Sequence, residues 1–180
     1  MCIRDSHRVP GTRIEDGRYP VVTGLEHDEM GHPSSSPELH EAMTQKRRNK
    51  LNALAEKLPV PEVYGADSGE VLVVGWGSTT GPLYEAVEKS GNNGQAISAL
   101  KLRHLNPLPN GLEDIFARFK KIYVVEMNDG GIYGYGQLAG LLRARFADPR
   151  IEGINKTDAL RWKVWEILDR VNERRKSESN

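Results

Sequence analysis

Val71-Leu72-Val73-Val74-Gly75-Trp76-Gly77-Ser78-Thr79-Thr80-Gly81-Pro82 is the stretch that decides the fold. Four consecutive apolar residues predict a strand covered on both faces, since a half-exposed strand would alternate apolar with polar. The glycines that follow, with Ser78, Thr79 and Thr80 between them, predict a turn. Pro82 then opens a helix carrying Leu83, Ala86 and Val87.

The same rhythm recurs downstream. Gln95–Leu102 alternates through Ile97 and Ala99 and reads as a second strand, and Asn110 with Glu113 resembles a capping box ahead of Ile115, Phe116 and Phe119. Ile122-Tyr123-Val124-Val125 is a third buried strand, followed by a glycine-rich turn and a helix with Leu138, Leu141, Leu142 and Phe146. Ile151-Glu152-Gly153-Ile154 is a short fourth strand, after which Asp158 is expected to cap a last helix bearing Leu160, Val164, Ile167, Leu168 and Val171. Strand–helix alternation on this scale implies right-handed crossovers. The expected fold is α/β: a three-layer α/β/α sandwich with a mainly parallel sheet over residues 70–176, then a tail at 177–180.

Upstream the composition changes. His7–Pro37 is polar and rich in Gly, Pro, Ser and Asp, without helical or alternating period. Ser36-Pro37 supplies an N-cap and an N1 proline for a helix whose Leu39, Met43, Leu51, Leu54 and Leu58 suggest one packed stripe. Residues 7–69 therefore read as a linker carrying one helix, extended and poorly packed as far as Pro37. Met1-Cys2-Ile3-Arg4-Asp5-Ser6 resembles the translation of a sequencing adapter; on that reading residues 1–6 are a processing scar and the chain is a piece of a longer gene.

Lysine plus arginine and aspartate plus glutamate balance at 25 each. No basic excess points to nucleic acid, and Lys46-Arg47-Arg48 with Lys50 reads as a solvated helix face. No apolar run approaches the roughly 20 residues that cross a bilayer, and Met1–Pro10 has no apolar core of a signal peptide, so a cytoplasmic protein without membrane or nucleic-acid partners is expected. Cys2 is the one cysteine, too few for a disulfide or an iron–sulfur cluster.

The strand ends are where chemistry would sit, because parallel strands followed by helices bring every strand-to-helix turn to one rim. Gly75, Trp76, Gly77, Ser78, Thr79 and Thr80 precede a helix N-terminus, which favours anions, and the hydroxyls add donors; a tight packing turn is the alternative. The pattern is neither a Walker A loop nor a dinucleotide fingerprint. Glu126 and Asn128 follow the third strand, either facing the crevice or capping the next helix. Asn155 and Lys156 follow the fourth, with Lys156 either meeting an anionic partner or simply solvated. Glu26-His27-Asp28-Glu29 with His32 and His40 lacks metal-ligand spacing and reads as a solvated or interface loop. No Gly-Asp-Gly with a downstream Asn-Asn, the thiamine diphosphate and magnesium motif, precedes Asn92-Asn93, and no self-contained catalytic set emerges.

Five stretches in order carry a resemblance: Gly24–His32, Val73–Thr79, Leu105-Asn106-Pro107-Leu108-Pro109, Val125-Glu126-Met127-Asn128 and Gly153-Ile154-Asn155-Lys156. Together they resemble the alpha subunit of 2-oxoglutarate:ferredoxin oxidoreductase, within the 2-oxoacid:acceptor oxidoreductases. The resemblance implies a transketolase-C-like domain of a cytoplasmic enzyme that decarboxylates 2-oxoglutarate onto coenzyme A and reduces ferredoxin. It implies a beta subunit as partner, with thiamine diphosphate, Mg2+ and an iron–sulfur cluster mainly on that subunit and none bound by this chain alone. The implied work of this piece is assembly and shaping of the site, with no family catalytic residue mapping onto it. Ala159-Leu160-Arg161-Trp162 departs from the family, which turns there through a glycine. The equivalent domain of a thiamine-dependent 2-oxoacid dehydrogenase and a stand-alone anion-binding or interaction module are the alternative readings.

Overall fold

The computed structural model describes residues 11, 13, 24–28, 31–91 and 96–177. The scar reading of residues 1–6 and most of the expected extended arm lie outside the described residues. The chain divides into two compact units, Met1–Leu54 and Ala55–Asn180.

In the first unit, helix α1 spans Pro37–Ala55. Ser36 caps it as the sequence dictates: its Oγ accepts from the Leu39 amide at 3.2 Å and donates to Glu38 at 2.7 Å. Of the predicted apolar stripe only Met43 is buried, while Leu51 and Leu54 are exposed. Residues 24–28 and 31–34 do not form a simple extended arm. His27 and Pro33 form an antiparallel bridge, and Ser34 donates its amide to the Glu26 carbonyl at 3.0 Å, closing a turn.

The second unit runs β1 (Val63–Tyr64), β2 (Gly69–Trp76), a 3-10 turn (Gly77–Thr79), α2 (Thr80–Gly91), β3 (Ser98–Leu102), α3 (Leu112–Ala117), β4 (Phe119–Glu126), α4 (Gln137–Phe146), β5 (Ile151–Asn155) and α5 (Val164–Ser177). The sheet order is β1-β3-β2-β4-β5. The four predicted strands lie side by side and parallel, with Val74 opposite both Leu100 and Val124, and Glu126 opposite Asn155. The chain moves from β2 outward to β3 and then crosses to β4 on the other side, so the order reverses between β2 and β4.

Reversal puts the helices on opposite faces, because each crossover keeps the same hand. Leu72 and Val74 face α3 and α4 through Phe116, Leu138 and Leu142. Val71 and Val73 face α2 and α5 through Leu83, Ala86, Ile167 and Val171. Each fully buried Leu, Val, Ile or Phe contributes about 1.5–3 kcal/mol of transfer free energy, which accounts for the uninterrupted apolar runs in the central strands.

Several boundaries differ from expectation. The linker read over 7–69 contains β1, which pairs antiparallel with β3, Val63 opposite Leu100. Two residues are too few for an alternation signal. The strand expected from Gln95 begins at Ser98, although Ile97 is already buried. Helix α2 starts at Thr80, placing Pro82 within its first turn rather than at its head. Gly111, at φ 83°, occupies the N-cap of α3 in place of an Asn110–Glu113 capping box. The last helix begins at Val164, so Asp158 and Leu160 lie outside it.

Candidate functional site

The carboxyl end of β4 places Glu126 where α4 begins. Its side chain is buried, and its two oxygens accept from the amides of Leu138 at 2.9 and 3.0 Å and Ala139 at 3.2 Å. Asn128 Nδ2 donates a further bond to it at 3.0 Å. In all of these Glu126 accepts, as a carboxylate does, against the positive end of a helix. Gly136, the N-cap of α4, has no side chain to offer, so a glutamate 10 residues upstream provides the cap. Asn155, at the end of β5, donates its Nδ2 to Asn128 Oδ1 at 2.7 Å, linking the two strand ends.

The approach of backbone to this network requires glycine. A Cβ on Gly136 would lie 2.2 Å from Asn155 Nδ2 and 2.9 Å from Glu126 Oε2. Its backbone, at φ 76° and ψ −175°, also falls in a region that other residues essentially never adopt.

Lys156 is largely buried and paired within the chain. Its side chain is 10% exposed, with Nζ 2.9 Å from Glu166, 3.4 Å from Asp158 and 4.9 Å from the centre of the Trp162 ring. Burial pulls the ammonium down, but the bond to Glu166 and the charges of Asp158 and Glu166 outweigh it and hold its pKa above the ordinary value. Glu166 is held below the ordinary range by the Lys163 amide first and then by Lys156. Glu166 thus closes the start of α5, accepting from Lys163 N at 2.8 Å. Asp158 instead binds the Leu160 amide at 3.0 Å in its own turn. There Ala159 takes φ 60°, a left-handed conformation.

The turn after β2 is used locally. Thr79 is buried, and its hydroxyl donates to the Trp76 carbonyl at 2.7 Å and accepts from the Trp76 amide at 3.1 Å. Thr80 donates to the Gly77 carbonyl at 2.9 Å. A Cβ on Gly75 would sit 2.4 Å from Leu83, so this is a turn tightened for strand–helix packing. Trp76, Gly77 and Ser78 are exposed.

The structure therefore brings Glu126, Asn128 and Asn155 into one hydrogen-bonded set, with Lys156 held beside it by other partners. The Gly75–Thr80 turn lies at the same end of the sheet. Three participants were missed from the sequence. Trp162 is buried and donates Nε1 to the Glu126 carbonyl at 3.3 Å, and the amides of Leu138 and Ala139 hold the carboxylate. Glu166 had a readable signal, a glutamate three residues after the helix start. In the first unit Glu26 pairs with His40 and with Arg47 at 2.8 Å, and these partners, His40 first, hold its carboxyl below the ordinary range. His32 meets Asp28 at 3.4 Å. Among the described residues no three His, Cys, Asp or Glu side chains converge as metal ligands. No helix of the described residues is long and apolar enough to cross a membrane.

Comparison with known proteins supplies the family. Residues 69–158 match the model for pyruvate:ferredoxin oxidoreductase core domain II. The 2-oxoacid:ferredoxin oxidoreductase 2 alpha subunit of Aeropyrum pernix is 33% identical over 176 residues, which cover 89% of this chain and 27% of that protein. The 2-oxoglutarate oxidoreductase subunit KorA of Mycobacterium tuberculosis is 32% identical over 71% of this chain and 20% of its own length. A solved 2-oxoglutarate:ferredoxin oxidoreductase from Magnetococcus marinus, with 2-oxoglutarate, coenzyme A and succinyl-CoA bound, superposes with a TM-score of 0.73 at 33% identity, covering 91% of this chain and 27% of that one. The chain spans about a quarter of these relatives. With the family's ordered motifs on the ends of β2, β4 and β5 of a doubly wound sheet, and core domain II matched from the first residue of β2 through the turn after β5, the chain belongs to the 2-oxoacid:ferredoxin oxidoreductase alpha-subunit family.

Proposed function

We propose that this chain is the assembly domain of a cytoplasmic 2-oxoacid:ferredoxin oxidoreductase, an enzyme that oxidatively decarboxylates 2-oxoglutarate onto coenzyme A and passes the electrons to ferredoxin. Its partner is a beta subunit, and its task is to hold strand ends and helix starts in fixed positions next to the site that other parts build. The observation that carries this reading is the state of the rim: Glu126, Asn128, Asn155 and Lys156 are all engaged by groups of the same chain. Such groups position backbone; they are not held ready to move a proton or grip a substrate.

Thiamine diphosphate, magnesium and an iron–sulfur cluster belong to this chemistry, and the residues here do not fit them. Cys2 alone cannot supply the four thiolates of a cluster. Glu126 is tied to the amides of Leu138 and Ala139, and Asp158 and Glu166 to Lys156. No step is assigned to this chain through those groups; they are placed mainly on the beta subunit. The names of the relatives support the substrate class.

The test is a coenzyme A-dependent assay of 2-oxoglutarate decarboxylation coupled to ferredoxin reduction. The purified chain is expected to show no turnover, and the assembled enzyme to show it. Turnover by the chain alone would overturn the assembly reading.

A further inference from the structure

Asn110 does not play the part its sequence suggests. A capping box would tie its side chain to the start of α3, but Gly111 is the N-cap and no side chain caps that helix. Asn110 is exposed, and its side-chain amide meets no partner among the described residues. The next main-chain nitrogen is equally free. The Gly111 carbonyl accepts from the Ile115 amide at 3.3 Å, whereas the Gly111 N–H, ahead of the first helical bond, has no acceptor among the described residues. The fold requires glycine there: Gly111 has φ 83°, and a Cβ on it would lie 3.0 and 3.2 Å from the two methyl carbons of Val60.

An unpartnered asparagine amide beside a free, unshielded main-chain nitrogen is a reactive pair, since glycine has no Cβ to block the approach. The other described asparagines each lack a part of it. Asn106 precedes Pro107, whose nitrogen carries no hydrogen. Asn155 donates to Asn128 at 2.7 Å, and Asn49 accepts from Gln45 at 2.7 Å. Asn52 and Asn172 sit within helices and precede Ala53 and Glu173.

We infer that Asn110–Gly111 is a site of spontaneous modification, at which the chain deamidates itself through a cyclic imide and loosens the start of α3. Hydroxide takes the Gly111 amide proton, and the nitrogen attacks Asn110 Cγ. A C–N bond forms, the Cγ–Nδ2 bond breaks, and ammonia leaves with a proton from water. Water then opens the imide at one of its carbonyls. Opening at Cγ leaves aspartate; opening at the main-chain carbonyl leaves isoaspartate, in which the main chain runs through the former side chain. Aspartate ahead of a helix is well tolerated. Isoaspartate is not, because it adds a methylene to the main chain between Pro109 and Leu112, both buried. Helix α3 has six residues, and it sets Leu112, Ile115 and Phe116 into the core. The added carbon displaces that set and the contact of Gly111 with Val60. This chemistry is independent of the oxidoreductase reading.

Ageing the purified chain at mildly alkaline pH, followed by tryptic digestion and mass spectrometry, tests the site. Cleavage after Arg103 and Arg118 isolates residues 104–118, where Asn110 is the one asparagine able to form the imide; cleavage after Lys50 and Lys57 isolates Asn52 as a reference. The first peptide is expected to exchange NH2 for OH about tenfold faster than the second. The rate should rise with pH, and the isoaspartyl isomer should predominate. Asn93-Gly94 repeats the dipeptide outside the described residues, so stability is compared with Asn110→Gln, whose longer side chain disfavours the ring. The two proteins should melt together when fresh, and the aged chain should melt about 5 °C below the aged variant. Conversion at residues 104–118 no faster than at Asn52, or equally fast in Asn110→Gln, would overturn the assignment of the site. Aged proteins that melt together although the chain carries isoaspartate would overturn the loosening of α3.

Discussion

The loops after β4 and β5 solve the same problem in different ways. Each leaves a parallel strand at the same end of the sheet, and each must start a helix while a charged side chain is buried nearby. The β4 loop places its charge, Glu126, against the bare amides of α4 and lines the approach with glycines, so that Gly136 comes within reach of three side chains without a clash. The β5 loop places its charge, Lys156, against two carboxylates and a tryptophan, and turns through Ala159 at φ 60°. Backbone amides fix a carboxylate in one geometry. Side-chain carboxylates follow a lysine with more freedom, and an alanine held left-handed is under strain. The first loop is a rigid anchor and the second a tolerant one.

Breaking the rigid loop should have the larger effect. Gly136→Ala puts a methyl group onto Asn155 and Glu126 and forces a backbone conformation closed to alanine. A loss of about 3 kcal/mol or more is expected in urea unfolding, with the β4 and β5 ends losing exchange protection together.

The tolerant loop should give less. Lys156→Met keeps the stem against Trp162 and removes the charge, and a loss of about 1 kcal/mol near neutral pH is expected. The pH dependence is signed. Glu166 has a lowered folded pKa, so its contribution is complete above about pH 4.3 and is lost as pH falls through the folded value. The Glu166 carboxyl, followed by NMR, should titrate higher in Lys156→Met. The stability gap between the two proteins should narrow as the solution is acidified.

The smallest effect has the opposite sign. Ala159→Gly relieves a left-handed alanine. The net gain is about 0.5–1 kcal/mol, since glycine also adds freedom to the unfolded chain. A loss there would mean that the β5 loop needs the alanine methyl for packing.

These loops also mark how far the sequence could be read. The strands β2 and β4 were legible because burial on both faces forces continuous apolar runs, β5 by its short Ile151–Ile154 stretch between helical segments, and the sandwich follows from their alternation with helices. The rim was legible for the same topological reason. What each rim residue touches was not, because the partners are distant in sequence: the amides that hold Glu126 lie 12 and 13 residues away, beyond a loop without periodicity. Leu160 extends the spacing of Val164 and Ile167 and so imitates an earlier helix start, and only the backbone at Ala159 shows that the helix has not begun. Strand β1 is two residues long and stabilised by pairing with β3, which no local pattern announces.

The claim on which the comparison rests is that Glu126 is a structural lock and not a reacting group. The melting temperature of Glu126→Gln tests it most directly, because the amide keeps the shape while its NH2 group meets donors at Leu138, Ala139 and Asn128 instead of accepting from them. A fall of roughly 5–10 °C is the predicted result. An unchanged melting temperature, accompanied by loss of turnover in the assembled enzyme, would show that the carboxylate serves the reaction and would contradict the structural reading of the rim.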